Sequence, residues 1–93
     1  RLTRAAEKDL RSLRTYEARV IEMLGALITD PRKGHALVGS LKGVRSLEFS
    51  LPGGAYRAAY VVDDVENVCR VFAFGPHENF YKLVERRVQS LQR

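Results

Sequence analysis

Residues 46–74 read SLEFSLPGGAYRAAYVVDDVENVCRVFAF, and the fold turns on them. Leu47, Phe49 and Leu51 alternate with Ser46, Glu48 and Ser50, the period-two pattern of a half-buried strand. Pro52-Gly53-Gly54 is a turn and Ala55 to Val62 a second strand. Asp63 to Asn67 is a polar turn that leads into a third strand from Val68 to Phe74. Strands joined this closely form an antiparallel meander. One face of it collects Leu47, Phe49, Leu51, Tyr56, Ala58, Tyr60 and Val62, which are expected to pack on helices. The opposite face is expected to carry Ser46, Glu48, Ser50, Arg57, Ala59 and Val61, with Cys69, Val71 and Ala73 from the third strand.

Outward from the meander the period changes to that of a helix. Thr3 to Leu13 sets Ala6, Leu10 and Leu13 at helical spacing. A second helix is expected from Thr15, whose hydroxyl would cap it, with an apolar stripe of Val20, Leu24, Leu27 and Ile28. Asp30-Pro31 ends it, because the residue before proline avoids helical dihedrals. Residues 31–44 read as a connection studded with Gly34, Gly39 and Gly43. At the other end Gly75-Pro76 is expected to stop the third strand. Asn79 to Leu91 then resumes a helical pattern through Phe80, Leu83, Val84, Val88 and Leu91. The predicted order is α-α-β-β-β-α, an α+β fold with two N-terminal helices on a curved antiparallel sheet of three to four strands and a C-terminal helix. The chain opens at Arg1-Leu2-Thr3 without an initiator Met. A strand missing ahead of the helices would leave a sheet edge that needs a partner or a cover.

The 93 residues suit one domain over 1–93, with no internal repeat or linker to divide it. The 45% apolar and 29% charged fractions exclude a disordered tail. The longest apolar run, Ala58 to Val62, is far short of the ~20 residues of a membrane helix. The charged start has no signal-peptide core, and the lone Cys69 closes no internal disulfide. A soluble cytoplasmic protein with no membrane association is expected. Sixteen Lys and Arg against eleven Asp and Glu give a net charge of +5, which favours polyanionic partners. Residues 1–14 hold five of the cations and 82–93 hold four, so the two ends are the basic parts of the chain.

Several residues stand out chemically. Arg57 lies on the small, partly polar sheet face, where a cation either pairs with Glu48 across the strands or receives an anion such as phosphate. Lys42 and Arg45 add charge at the entrance to the first strand of the meander. In Gly75-Pro76-His77-Glu78-Asn79-Phe80-Tyr81, His77 and Tyr81 bring two proton-transfer groups to a helix start. His35 has no evident partner, and Cys69 reads as a small buried hydrophobe. The residues alone leave a structural role for each of these groups open beside the functional one.

Taken together, Ala5-Ala6-Glu7-Lys8-Asp9-Leu10, the Asp30-Pro31 stop, Leu41-Lys42-Gly43, Ala55-Tyr56-Arg57-Ala58-Ala59-Tyr60 and Val71 to Tyr81 give the chain a pattern that resembles the RelE/ParE superfamily of bacterial toxin–antitoxin toxins. The resemblance spans nearly the whole chain. Family members usually begin with a strand ahead of the helix pair, and this sequence starts after or partway through it. Many relatives cleave mRNA in the ribosomal A site without a metal, by attack of a ribose 2′-OH on the adjacent phosphate. By position, Arg57 matches the family's phosphate-stabilising arginine and Tyr81 its C-terminal tyrosine, while His77 stands where relatives carry Arg or His. Lys42 falls in the basic loop. Several ribonuclease members have lysines where this chain has Glu48 and Ser50, which makes Glu48 a candidate carboxylate base, with either Glu48 or His77 as base and the other as acid. The resemblance therefore implies a ribosome-associated, cofactor-free mRNA endoribonuclease with catalytic residues Arg57, His77, Tyr81 and Glu48 and RNA contacts at Lys42 and Arg45. Its partners would be mRNA and a cognate antitoxin, as a toxin–antitoxin hetero-oligomer or with a second copy on a free sheet edge. A ParE-like inhibitor that binds DNA gyrase is the alternative, and a non-catalytic basic binding module a third.

Overall fold

The computed structural model describes residues 1–66, 68–76 and 78–91. Helix α1 (Arg4–Arg11) is followed by a 3-10 turn (Arg14–Tyr16) and α2 (Glu17–Thr29). Strand β1 (His35–Ala36), a second 3-10 turn (Gly39–Leu41), β2 (Arg45–Leu51), β3 (Gly54–Asp63), β4 (Val68–Pro76) and α3 (Phe80–Leu91) complete the order. The sheet runs β1-β2-β3-β4, every neighbouring pair antiparallel. The expected α+β class and meander are present, and the fourth strand of the expected three to four lies at His35–Ala36, within the stretch read as a connection.

Local chemistry sets the helix ends. The Thr3 hydroxyl accepts from Ala6 N at 3.1 Å and caps α1. Thr15 does not cap α2, contrary to the sequence reading. The first residue outside that helix is Tyr16, which makes no side-chain cap. The chain enters through the 3-10 turn, where Glu17 N already bonds the Arg14 carbonyl, so that amide is not left for the Thr15 hydroxyl. Asp30 is extended (φ −139°, ψ 90°) and ends α2 ahead of Pro31 as expected.

Two hydrophobic layers sandwich the sheet. Ala6, Leu13, Val20, Met23 and Leu27 of the helix pair pack on Leu47, Phe49, Leu51, Ala58, Tyr60, Val71 and Phe74. On the other face Phe80 and Val84 of α3 pack with Leu41, Val44, Ala59, Phe72 and Ala73. The β3–β4 register steps from Ala59↔Ala73 to Tyr60↔Val71, which leaves Phe72 as an extra residue on β4. This bulge sends Phe72 and Ala73 together to the α3 side. It corrects two assignments, since Val71 and Cys69 lie with the helix pair and not on the face of Arg57.

The glycine-rich connection is more ordered than its composition suggests. His35 pairs with Ser46 and Ala36 with Arg45. Gly34 N donates to the buried Tyr60 hydroxyl at 3.0 Å, and a Cβ on Gly34 would lie 2.7 Å from the Ser46 carbonyl oxygen. Only glycine fits that approach. At the opposite edge Val71 N donates to the Arg1 carbonyl at 2.8 Å and Thr3 N to the Val71 carbonyl at 3.0 Å, so Leu2 runs parallel to β4. Farther along that edge Asp9 Oδ2 accepts from Phe74 N at 3.0 Å, and Arg87 Nη1 donates to the Phe72 carbonyl at 3.0 Å. Arg87 also grips Asp9 through Nη1 and Nη2, which donate to Oδ2 and Oδ1 at 2.6 and 3.1 Å. This stretch of the outer β4 edge is thus closed by an ion pair that joins α1, β4 and α3.

Candidate functional site

Arg57 sits on β3 opposite Glu48 of β2 and Gly75 of β4. The tight turn at Pro52-Gly53 closes on the Leu51–Gly54 pair, and counting back by alternation makes Glu48–Arg57 a non-hydrogen-bonded pair. In such pairs the facing side chains stand closest. On the β4 side there is no side chain, because a Cβ on Gly75 would meet the Phe80 ring at 3.3 Å. The glycine lets the first turn of α3 settle onto the strand next to Arg57. Asn79 turns the chain into α3 with φ 57°, a left-handed conformation that asparagine tolerates better than most residues.

That entry delivers Tyr81 to Arg57. The Arg57 Nη1 group donates to the Tyr81 hydroxyl, and the guanidinium carbon lies 5.4 Å from the tyrosine ring centre. Glu48 Oε2 is 3.6 Å from Arg57 Nη2, close enough for Coulomb attraction and too far for a hydrogen bond. The Arg57 side chain is 18% exposed and that of Glu48 54% exposed, so the cation is sunk and the carboxylate stands at the rim. Arg57 Nε is buried with no acceptor among the described residues. A guanidinium has five N–H donors, and among the described residues its one hydrogen bond is to Tyr81. The arrangement offers an anion a sheltered cation, with a carboxylate and a phenol at its border.

Not every sequence-predicted residue joins this group. Arg45 lies three positions from Glu48 on β2 and therefore faces the other side of the sheet. Its guanidinium donates to the carbonyls of Arg32 and Gly34 at 2.8 and 2.6 Å, which pins the 30–34 loop. Lys42 is exposed at the end of the second 3-10 turn and makes no ion pair among the described residues. His77 lies outside the described residues. His35 is exposed on β1. Cys69 is half-buried, and burial pushes its thiol pKa up, in keeping with a packing role.

Sequence reasoning missed Asp9 and Arg87, whose ion pair fixes α3 and with it Tyr81. The two are remote in sequence, and each reads locally as one more charge on a basic helix. No three His, Cys, Asp and Glu side chains converge as metal ligands among the described residues. No described helix is long and apolar enough to cross a membrane.

With this geometry in view, comparison with known families matches residues 2–85 to the model described as the ParE-like toxin of type II bacterial toxin–antitoxin systems. No curated protein matches the chain.

Proposed function

The chain belongs to the ParE-like toxins of type II bacterial toxin–antitoxin systems, with a cognate antitoxin protein as partner, and from that premise we propose that it acts as a metal-independent mRNA endoribonuclease on the ribosome. The observation that carries this reading is the convergence of Arg57, Tyr81 and Glu48 on one side of the sheet. Phosphodiester cleavage by a ribose needs a base for the 2′-OH, a cation for the charge that grows on the phosphate, and an acid for the leaving oxygen.

In this reading the unused N–H groups of Arg57 take the non-bridging phosphate oxygens. Tyr81 holds the guanidinium plane from the α3 side. Glu48, at the rim, removes the 2′-OH proton as the 2′-oxygen bonds to phosphorus. The bond from phosphorus to the 5′-oxygen breaks, and His77, whose role comes from the resemblance alone, supplies the proton that the leaving oxygen needs. The products are a 2′,3′-cyclic phosphate and a free 5′-hydroxyl. Lys42 is assigned to a flanking phosphate. Arg45 supports the 30–34 loop and contributes to RNA binding only through the field of its charge.

The test is to map mRNA 5′ ends in a translating extract. Cleavage is expected with the wild-type chain and is expected to be lost with Glu48→Gln and with Arg57→Ala. An unchanged cleavage pattern in both variants refutes the reading.

A gyrase-binding toxin is the second reading. The ParE-like description of the family favours it, as does Glu48, which offsets the positive charge that a phosphate cradle would concentrate. Cells making such a toxin lose DNA synthesis first, whereas cells making a ribonuclease lose protein synthesis first.

A further inference from the structure

Glu48 and Arg57 are register partners with opposite charges, yet they do not close on one another. At 3.6 Å the carboxylate is beyond hydrogen-bond reach of Nη2. The guanidinium is mostly buried and has donors to spare, Nε among them. A sunken cation in this state is under-satisfied, and an oxyanion that accepts two N–H groups in its plane would complete it. The only anion now beside it in the described structure is Glu48, held at the edge with about half of its side chain in solvent.

We infer that Glu48 is a resident counter-anion, which occupies the border of the Arg57 seat in the resting toxin and must yield when a phosphate group enters. The inference rests on the anion-seat reading of the proposed function and adds what regulates that seat. The carboxylate balances the buried charge while the seat is empty. It swings toward the solvent it already touches once phosphate oxygens take the Nη2 donors that face it. From there it lies beside the bound phosphate, where a base is wanted. Charge–charge effects at a half-exposed site are modest, since solvent screens both the pairing and the repulsion. Removing the carboxylate's charge is accordingly expected to tighten phosphate binding about two- to fivefold.

Inorganic phosphate, titrated at fixed ionic strength into the full chain and followed by NMR of the arginine Nε–H signals, tests this without any cleavage step. Glu48→Gln is expected to bind phosphate about two- to fivefold more tightly than wild type. Glu66→Gln, remote on the β3–β4 turn, is expected to show no gain. The double variant Arg57→Gln/Glu48→Gln is expected to bind no better than Arg57→Gln. Equal or weaker binding by Glu48→Gln, no binding by either form, or a gain that survives the loss of Arg57 overturns the inference. A chain that binds phosphate as expected but leaves mRNA intact refutes the nuclease reading alone. A chain that cleaves mRNA while Glu48→Gln shows no gain refutes this inference alone.

Discussion

Asp9→Ala is expected to be the most damaging single truncation of a polar side chain in this fold. The Asp9 carboxylate accepts two bonds from Arg87 and one from Phe74 N. Its removal leaves the β4 amide without its acceptor and leaves Arg87 with the Phe72 carbonyl. Breaking a fully buried ion pair by removing one partner costs about 3–5 kcal/mol. The Arg87 and Asp9 side chains are 24% and 19% exposed, so screening lowers the expectation to about 2–3 kcal/mol. A chain of this length shifts in Tm by roughly 4–8 °C per kcal/mol, which makes the loss roughly 10–20 °C. Urea unfolding, followed by far-UV circular dichroism and extrapolated to water, measures the free energy directly. The companion variant Asp9→Ala/Arg87→Met is expected to recover part of the loss, because it removes the charge left without its partner. A loss below about 0.5 kcal/mol in Asp9→Ala would mean that the pair is merely a surface contact, and the account of the β4 edge would be wrong.

Gly34→Ala is expected to lower stability by about 1–3 kcal/mol, since its Cβ would press on the Ser46 carbonyl and the Tyr60 hydroxyl; wild-type stability in urea would show that the loop is not pinned there. Burial raises the Cys69 thiol pKa, so the native protein holds less thiolate than the unfolded chain at any pH near the usual thiol range. Alkylation by iodoacetamide at mildly alkaline pH is therefore expected to run markedly slower in buffer than in urea; equal rates would contradict the packing role.

The meander was legible because its signals are local. Leu47, Phe49 and Leu51 alternate cleanly, and the Pro52-Gly53 turn fixes the register that sets Glu48 opposite Arg57. The bulge was not legible. Val71-Phe72-Ala73-Phe74 is an apolar run, so a one-residue slip leaves no mark on its pattern, and Val71 and Cys69 were placed on the wrong face. Strand β1 escaped notice because two residues carry no period, and its place is set by Gly34 and Tyr60, which are far apart in the chain. In the candidate site, Arg57, Glu48 and Tyr81 were all visible as residue types at suggestive positions. The expected grouping of Arg45 with them fails on strand parity, since an odd separation along β2 puts it on the other face. The pair that fixes α3, Asp9 with Arg87, was hidden by distance in sequence, and only packing brings the two together.

The claim that the Arg57 cluster is the working surface of this toxin is tested most directly by inducing Arg57→Ala in a host without antitoxin and counting surviving colonies. The purified variant must keep the wild-type circular dichroism spectrum for the count to be meaningful. Survival at least a hundredfold above that of the induced wild type is the expected result. Undiminished killing by a properly folded Arg57→Ala chain would contradict the account, and the toxic surface would have to be sought elsewhere on the molecule.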